Sequence, residues 1–79
     1  MEPRIVTDPE ILGGKPIVRG TRISVEHILE LIASGATADA IVQAYPRLSR
    51  EDVTAAVEYA ARFLRESDLV GLEIPREAG

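Results

Sequence analysis

Gly13-Gly14-Lys15-Pro16-Ile17-Val18-Arg19-Gly20-Thr21-Arg22-Ile23-Ser24 is the least helical stretch of this chain, and the other segments are arranged around it. Two glycines free the backbone for a turn and Pro16 then fixes its own φ. Gly20 interrupts a run of β-formers, Ile17, Val18, Thr21 and Ile23, so the stretch reads as a strand with a break. Lys15, Arg19 and Arg22 fall inside it with no acidic residue between them, although the chain has a formal net charge of −4. A local cationic cluster on an acidic chain is the first candidate for a functional surface. A β-rich arm also uses turns and solvated charges for purely structural ends.

Upstream, Ile5 and Val6 suffice for a short strand, Asp8-Pro9 marks a turn, and Glu10-Ile11-Leu12 predicts one helical turn ended by Gly13. Ile5, Ile11, Leu12, Ile17 and Val18 are then expected to cover one side of the helices. Downstream, Ser24 is an N-cap with Glu26 in the first turn, and Val25, Ile28, Leu29 and Ile32 recur as one apolar stripe. Glu26, His27 and Glu30 lie off that stripe, and Gly35 is a left-handed stop. Thr37 caps a shorter helix with Ala38, Ile41, Val42 and Tyr45 inward, limited by Pro46. Ser49 and Asp52 form a reciprocal capping pattern, with Leu48 and Val53 at the staple positions. The third helix is expected to run to about Arg65, with Val53, Ala56, Val57, Ala60, Ala61 and Leu64 inward. Tyr59 and Phe63 lie on a neighbouring stripe and widen the apolar face.

This spacing predicts a mainly α fold: a three-helix, helix-turn-helix-like (homeodomain-like) bundle with a short N-terminal β-arm or hairpin. Residues 1–66 form the single domain and residues 67–79 a C-terminal tail, where Gly71 and Pro75 oppose further helix. With 79 residues, one core contributes only about 3–5 kcal/mol, so help from a partner chain is expected. Cysteine is absent, which removes disulfides and thiolate metal sites and fits a reducing compartment. No metal-ligand cluster, signal pattern or membrane-length apolar run stands out, and a cytoplasmic protein without membrane contact is expected. The acidic balance opposes indiscriminate nucleic-acid binding but leaves room for a local basic patch.

Motifs for catalysis are missing. Gly13-Gly14-Lys15 lacks the spacing of a phosphate-binding loop, and Pro16 stands where that loop needs Ser or Thr. His27 is the lone histidine, expected as a solvated residue between Glu26 and Glu30; the two carboxylates themselves read as a wet helix face. No active site or cofactor site is therefore expected. The second helix, the Pro46-Arg47-Leu48 turn and the third helix have helix-turn-helix spacing, which makes Arg50 and Thr54 candidate DNA contacts beside Lys15, Arg19 and Arg22. Arg62 is a further cation in reach, while Glu51 and Asp52 in the first turn of the would-be recognition helix repel phosphate. Packing without DNA contact remains the alternative.

The run Asp8-Pro9-Glu10-Ile11-Leu12-Gly13-Gly14-Lys15-Pro16-Ile17-Val18-Arg19-Gly20-Thr21-Arg22-Ile23-Ser24-Val25, with Ala33-Ser34-Gly35, Tyr45-Pro46, Leu48 and Asp52-Val53, closely resembles domain-of-unknown-function family 433. The resemblance covers residues 5–65. It implies a small helix-turn-helix-like domain after a β-arm, often dimeric, acting as the antitoxin of a type II toxin-antitoxin system whose toxin is a PIN-like ribonuclease. It marks Lys15, Arg19, Gly20, Thr21 and Arg22 as motif positions without a catalytic role. The expected function is accordingly a non-enzymatic antitoxin that binds toxin and operator DNA as a homodimer. The alternative is a dimeric adaptor that touches no DNA. Tyr59 and Phe63 are the candidate dimer contacts. Leu69, Val70, Leu72 and Ile74 in the tail are the candidate toxin contacts, unless the tail folds back on the third helix.

Overall fold

Ser24, Thr37 and Ser49 each stand in extended backbone, and the hydroxyl of each accepts a hydrogen bond from an N–H of the turn that follows. From these caps run α1 (Val25–Ala33), α2 (Ala38–Ala44) and α3 (Arg50–Arg65). The computed structural model describes residues 3–66. Ahead of the helices, β1 (Ile5–Val6) pairs antiparallel with β2 (Ile17–Val18), with Ile5 opposite Val18 and Val6 opposite Ile17.

β2 is bonded on both edges. Besides β1, it meets the approach to α1: Ile17 bridges Ser24, the Val18 N–H donates to the Ile23 carbonyl at 2.9 Å, and the Val25 N–H donates to the Pro16 carbonyl at 2.9 Å. A two-residue strand survives because both edges are paired and both side chains are buried. Between Val18 and Ile23 the chain reverses in a tight turn, in which Gly20 has φ 82° and the Thr21 N–H donates to the Val18 carbonyl at 3.0 Å. Glycine suits that third turn position because a Cβ there is strained. Thr21 Oγ1 donates to the Val18 carbonyl at 2.8 Å and accepts from the Ile23 N–H at 3.0 Å, closing the turn a second time.

Upstream, the structure shifts the expected Glu10–Leu12 turn. Asp8 takes up the N–H groups of Glu10, through its carboxylate, and Ile11, through its carbonyl. The turn forms instead at Leu12–Gly14, where all three residues have positive φ, including 52° at Leu12. It is wound in the left-handed sense that glycines permit and leucine pays for.

Val18, Val25, Ile28, Ile41, Leu48, Val53 and Ala56 form the buried cluster, drawn from every helix and from β2, with Ile5 and Tyr45 packed on its rim. Ile17 is buried as well, whereas Leu12, expected on the covered side, is exposed. The expected stripe of α1 also needs correction, since Ile32 is exposed and Leu31 packs on the core. The cause is the helix end. Gly35, at φ 104°, donates to the Ile32 carbonyl and Ala36 donates to the Leu31 carbonyl, a Schellman arrangement that brings Ala36 and Leu31 together against the core.

In α3, Val57, Ala61 and Leu64 were expected inward and are exposed. Its 16 residues outrun the 9 of α1 and the 7 of α2. At 1.5 Å per residue, α3 is about 24 Å long and α1 about 13 Å, so among the described residues α3 is longer than either helix it packs on.

Candidate functional site

Three surfaces carry the side chains that the sequence singles out. The first is a polar groove of about 580 Å³ between the hairpin and the start of α1, lined by Lys15, Arg22, Glu26, His27, Glu30 and Tyr45 among others. Lys15 Nζ donates to Glu26 Oε1 at 3.0 Å, which neutralises the first cation of the motif. His27 is not the solvated residue expected. It is half-buried, its Nε2 lies 2.8 Å from the Tyr45 hydroxyl, and the rings meet edge to face at 5.7 Å. Tyr45 follows α2 and sits 18 residues away in sequence, beyond any local pattern. The two groups bond each other, and the groove sets them beside Glu26 and Glu30.

The hairpin tip above it is cationic. Arg19 and Arg22 flank the Gly20 turn and are exposed, and Arg47, from the turn between α2 and α3, donates from Nη2 to the Gly20 carbonyl at 3.1 Å. Sequence reading missed Arg47 as a functional candidate. It lies 27 residues from Gly20, and only the tertiary fold makes them neighbours.

The second surface is the start of α3, where Arg4, Arg50, Glu51, Thr54, Ala55 and Glu58 line a groove of about 450 Å³. Arg50 and Thr54 thus share a surface, but it has no lining residue in common with the groove of Lys15 and Arg22. Arg50 Nη1 lies 3.3 Å from Asp39 Oδ1. Beneath this groove, Arg4 Nη1 donates to Asp52 Oδ1 at 2.9 Å and ties the residue before β1 to the start of α3. Burial of Asp52 opposes its charge. Hydrogen bonds from the Ser49 N–H and the Arg4 guanidinium outweigh burial and hold the carboxyl below its ordinary value.

The third surface is apolar. Pro16 and Val25, Leu29 and Ala33 of α1, and Tyr59, Ala60, Phe63 and Leu64 of α3 line a groove of about 560 Å³, with Glu26 and Glu30 on its border. Tyr59 and Phe63 stack with centroids 6.5 Å apart and planes 20° from parallel. Tyr59 leans on the core, while Phe63 is 59% exposed. The tail candidates Leu69, Val70, Leu72 and Ile74 lie outside the described residues. Among the described residues, no group of three or more His, Cys, Asp or Glu side chains is placed to hold a metal ion. No described helix is long and apolar enough to cross a membrane.

Comparison with known proteins adds a family. The sequence profile described as "Protein of unknown function (DUF433)" matches residues 5–60. An uncharacterized protein, y4eO, of Sinorhizobium fredii is 38% identical over 56 residues, which are 71% of this chain but 25% of the rhizobial protein. The fold is similar to the crystal structure of a DUF433 member from Anabaena variabilis. That match has a TM-score of 0.74 and 31% identity, and it covers 77% of this chain and 60% of the other.

Proposed function

The chain belongs to the DUF433 family, described as being of unknown function, and we propose that within it this protein is a non-enzymatic, homodimeric regulator of antitoxin type. Its partner is a PIN-like ribonuclease toxin, with operator DNA as a further ligand. The observation that carries the reading is the apolar groove between α1 and α3, which is open among the described residues. Phe63, Leu64 and Val57 are large apolar side chains exposed on one helix, and a small domain stabilised by few buried residues gains most by covering them. A second copy fits the groove by charge as well. Glu30 stands on its border, and Arg62 and Arg65 in the last turn of α3 supply the opposite sign, which a two-fold arrangement would bring together twice.

The start of α3 supports a second reading, an adaptor that dimerises and binds protein without DNA. Arg50 is held by Asp39, and Thr54 is flanked in its groove by Glu51 and Glu58, so the helix that would enter a major groove meets phosphate with mixed charge.

Light scattering tests the assembly. A dimer mass at micromolar concentration is expected for the native chain and a monomer for Phe63→Glu with helical content retained. A native monomer would overturn the reading. Co-expression with a PIN-type ribonuclease from the same operon then tests the partner: a co-purifying complex and restored growth are expected, and persistent growth arrest without a complex would leave only the adaptor.

A further inference from the structure

Ahead of the last turn of α3, several described cations have a carboxylate partner and two near Gly20 do not. Arg4, Lys15 and Arg50 each have a carboxylate at 2.9–3.3 Å. Arg22 and Arg47 are exposed, and among the described residues neither has a carboxylate within ion-pair distance. Both lie at the turn around Gly20, Arg22 two residues beyond Gly20 within it and Arg47 bonded to the Gly20 carbonyl from the turn between α2 and α3. That bond occupies one of the five N–H donors of a guanidinium, and Arg47 is exposed.

The tip is rigid. Thr21 closes the turn with its backbone N–H and its hydroxyl, and Arg47 anchors it to the turn between α2 and α3. It also carries no apolar anchor, since Arg19, Gly20, Thr21 and Arg22 form its whole length. Protein interfaces depend on buried apolar and aromatic centres, whereas phosphates are met by guanidinium forks held in place. Resting on the DNA arm of the reading above, we infer that the hairpin tip is the phosphate-contacting surface for duplex DNA, with Arg22 and Arg47 each engaging a backbone phosphate. The start of α3 contributes little affinity, and binding through the tip tolerates many sequences, because backbone contacts position a protein without reading bases.

Fluorescence polarisation with a labelled duplex, over a series of salt concentrations, tests this. For the Arg22→Gln, Arg47→Gln double variant, the slope of log affinity against log salt should fall by about 1.8 per bound chain, at about 0.9 for each phosphate no longer neutralised. Arg22→Gln alone should give about half that change, and it removes no hydrogen bond among those described, so a folding defect at Arg47 cannot hide the result. Arg50→Gln should change affinity less than twofold. Unchanged salt slopes in the tip variants, with binding abolished in Arg50→Gln, would overturn the inference and leave the DNA arm standing. No duplex binding at low salt by a protein that still dimerises would remove both and leave the assembly standing. Displacement of the duplex by polyglutamate at equal charge concentration would assign the tip to an acidic protein instead and overturn the inference.

Discussion

The two ends of α3 differ although they share one helix and one amphipathic pattern. At the start, Ser49 and Asp52 cap each other, Leu48 and Val53 are buried, and Arg4 reaches in from the residue before β1. Toward the end, Val57, Phe63 and Leu64 are exposed, and Phe63, stacked on Tyr59 at the rim of the core, lines a groove. An apolar periodicity says which residues could share a face. It does not say whether this chain supplies anything to cover that face. The beginning of α3 is packed within the monomer, whereas its end is exposed among the described residues and is where the proposed assembly would act.

Val53 and Val57 break or sharpen that contrast most directly, because they are one helical turn apart, at 4% and 42% exposure. Val53→Ala should destabilise the domain by about 2 kcal/mol, from reduced methyl burial and the space left behind. Val57→Ala should cost under about 0.5 kcal/mol in the monomer, the range of ordinary surface changes. Chemical denaturation of both variants reads the difference, and equal losses would show that the end of α3 is also part of the monomer core.

Asp52 gives the next effect. Asp52→Ala removes the carboxylate that accepts from the Ser49 N–H and from Arg4, and a loss of about 1.5 kcal/mol at neutral pH is expected. Because the folded state holds this carboxyl below its ordinary value, the unfolded chain takes up its proton first as pH falls. The stabilisation is therefore complete above the unfolded value of about 3.9 and is lost as the pH drops through the lowered folded value. Thermal melts from pH 7 downward should show the native chain losing more stability than Asp52→Ala across that window. Parallel curves would remove the carboxylate from the account.

A smaller effect is expected at the hairpin. Gly20 has open space where a Cβ would sit, yet its φ is 82°. Gly20→Ala should accordingly cost about 1 kcal/mol from backbone strain without a clash. A loss several times larger, measured by thermal unfolding, would mean that the tip is packed more closely than its open surroundings indicate.

The sequence by itself determined most of the local structure, the left-handed turn at Leu12–Gly14 excepted. Ser24, Thr37 and Ser49 mark helix starts and Gly35 a helix stop through hydrogen bonds that span two to five residues, and β1, β2 and the turn at Gly20 follow from equally short patterns. The motif of Lys15, Gly20 and Thr21 could be quoted from the chain, but not the contact of Lys15 with Glu26 of α1 or the closing of the Gly20 turn by the Thr21 hydroxyl. Tertiary structure alone decided the rest. Arg4 with Asp52, His27 with Tyr45 and Arg47 with Gly20 are separated by 48, 18 and 27 residues. Helical period can assign each to a face but cannot tell which face another segment will meet. The same limit explains Leu31 replacing Ile32 and the exposure of Val57 and Leu64, because burial depends on how far a neighbouring helix extends and how its end is turned.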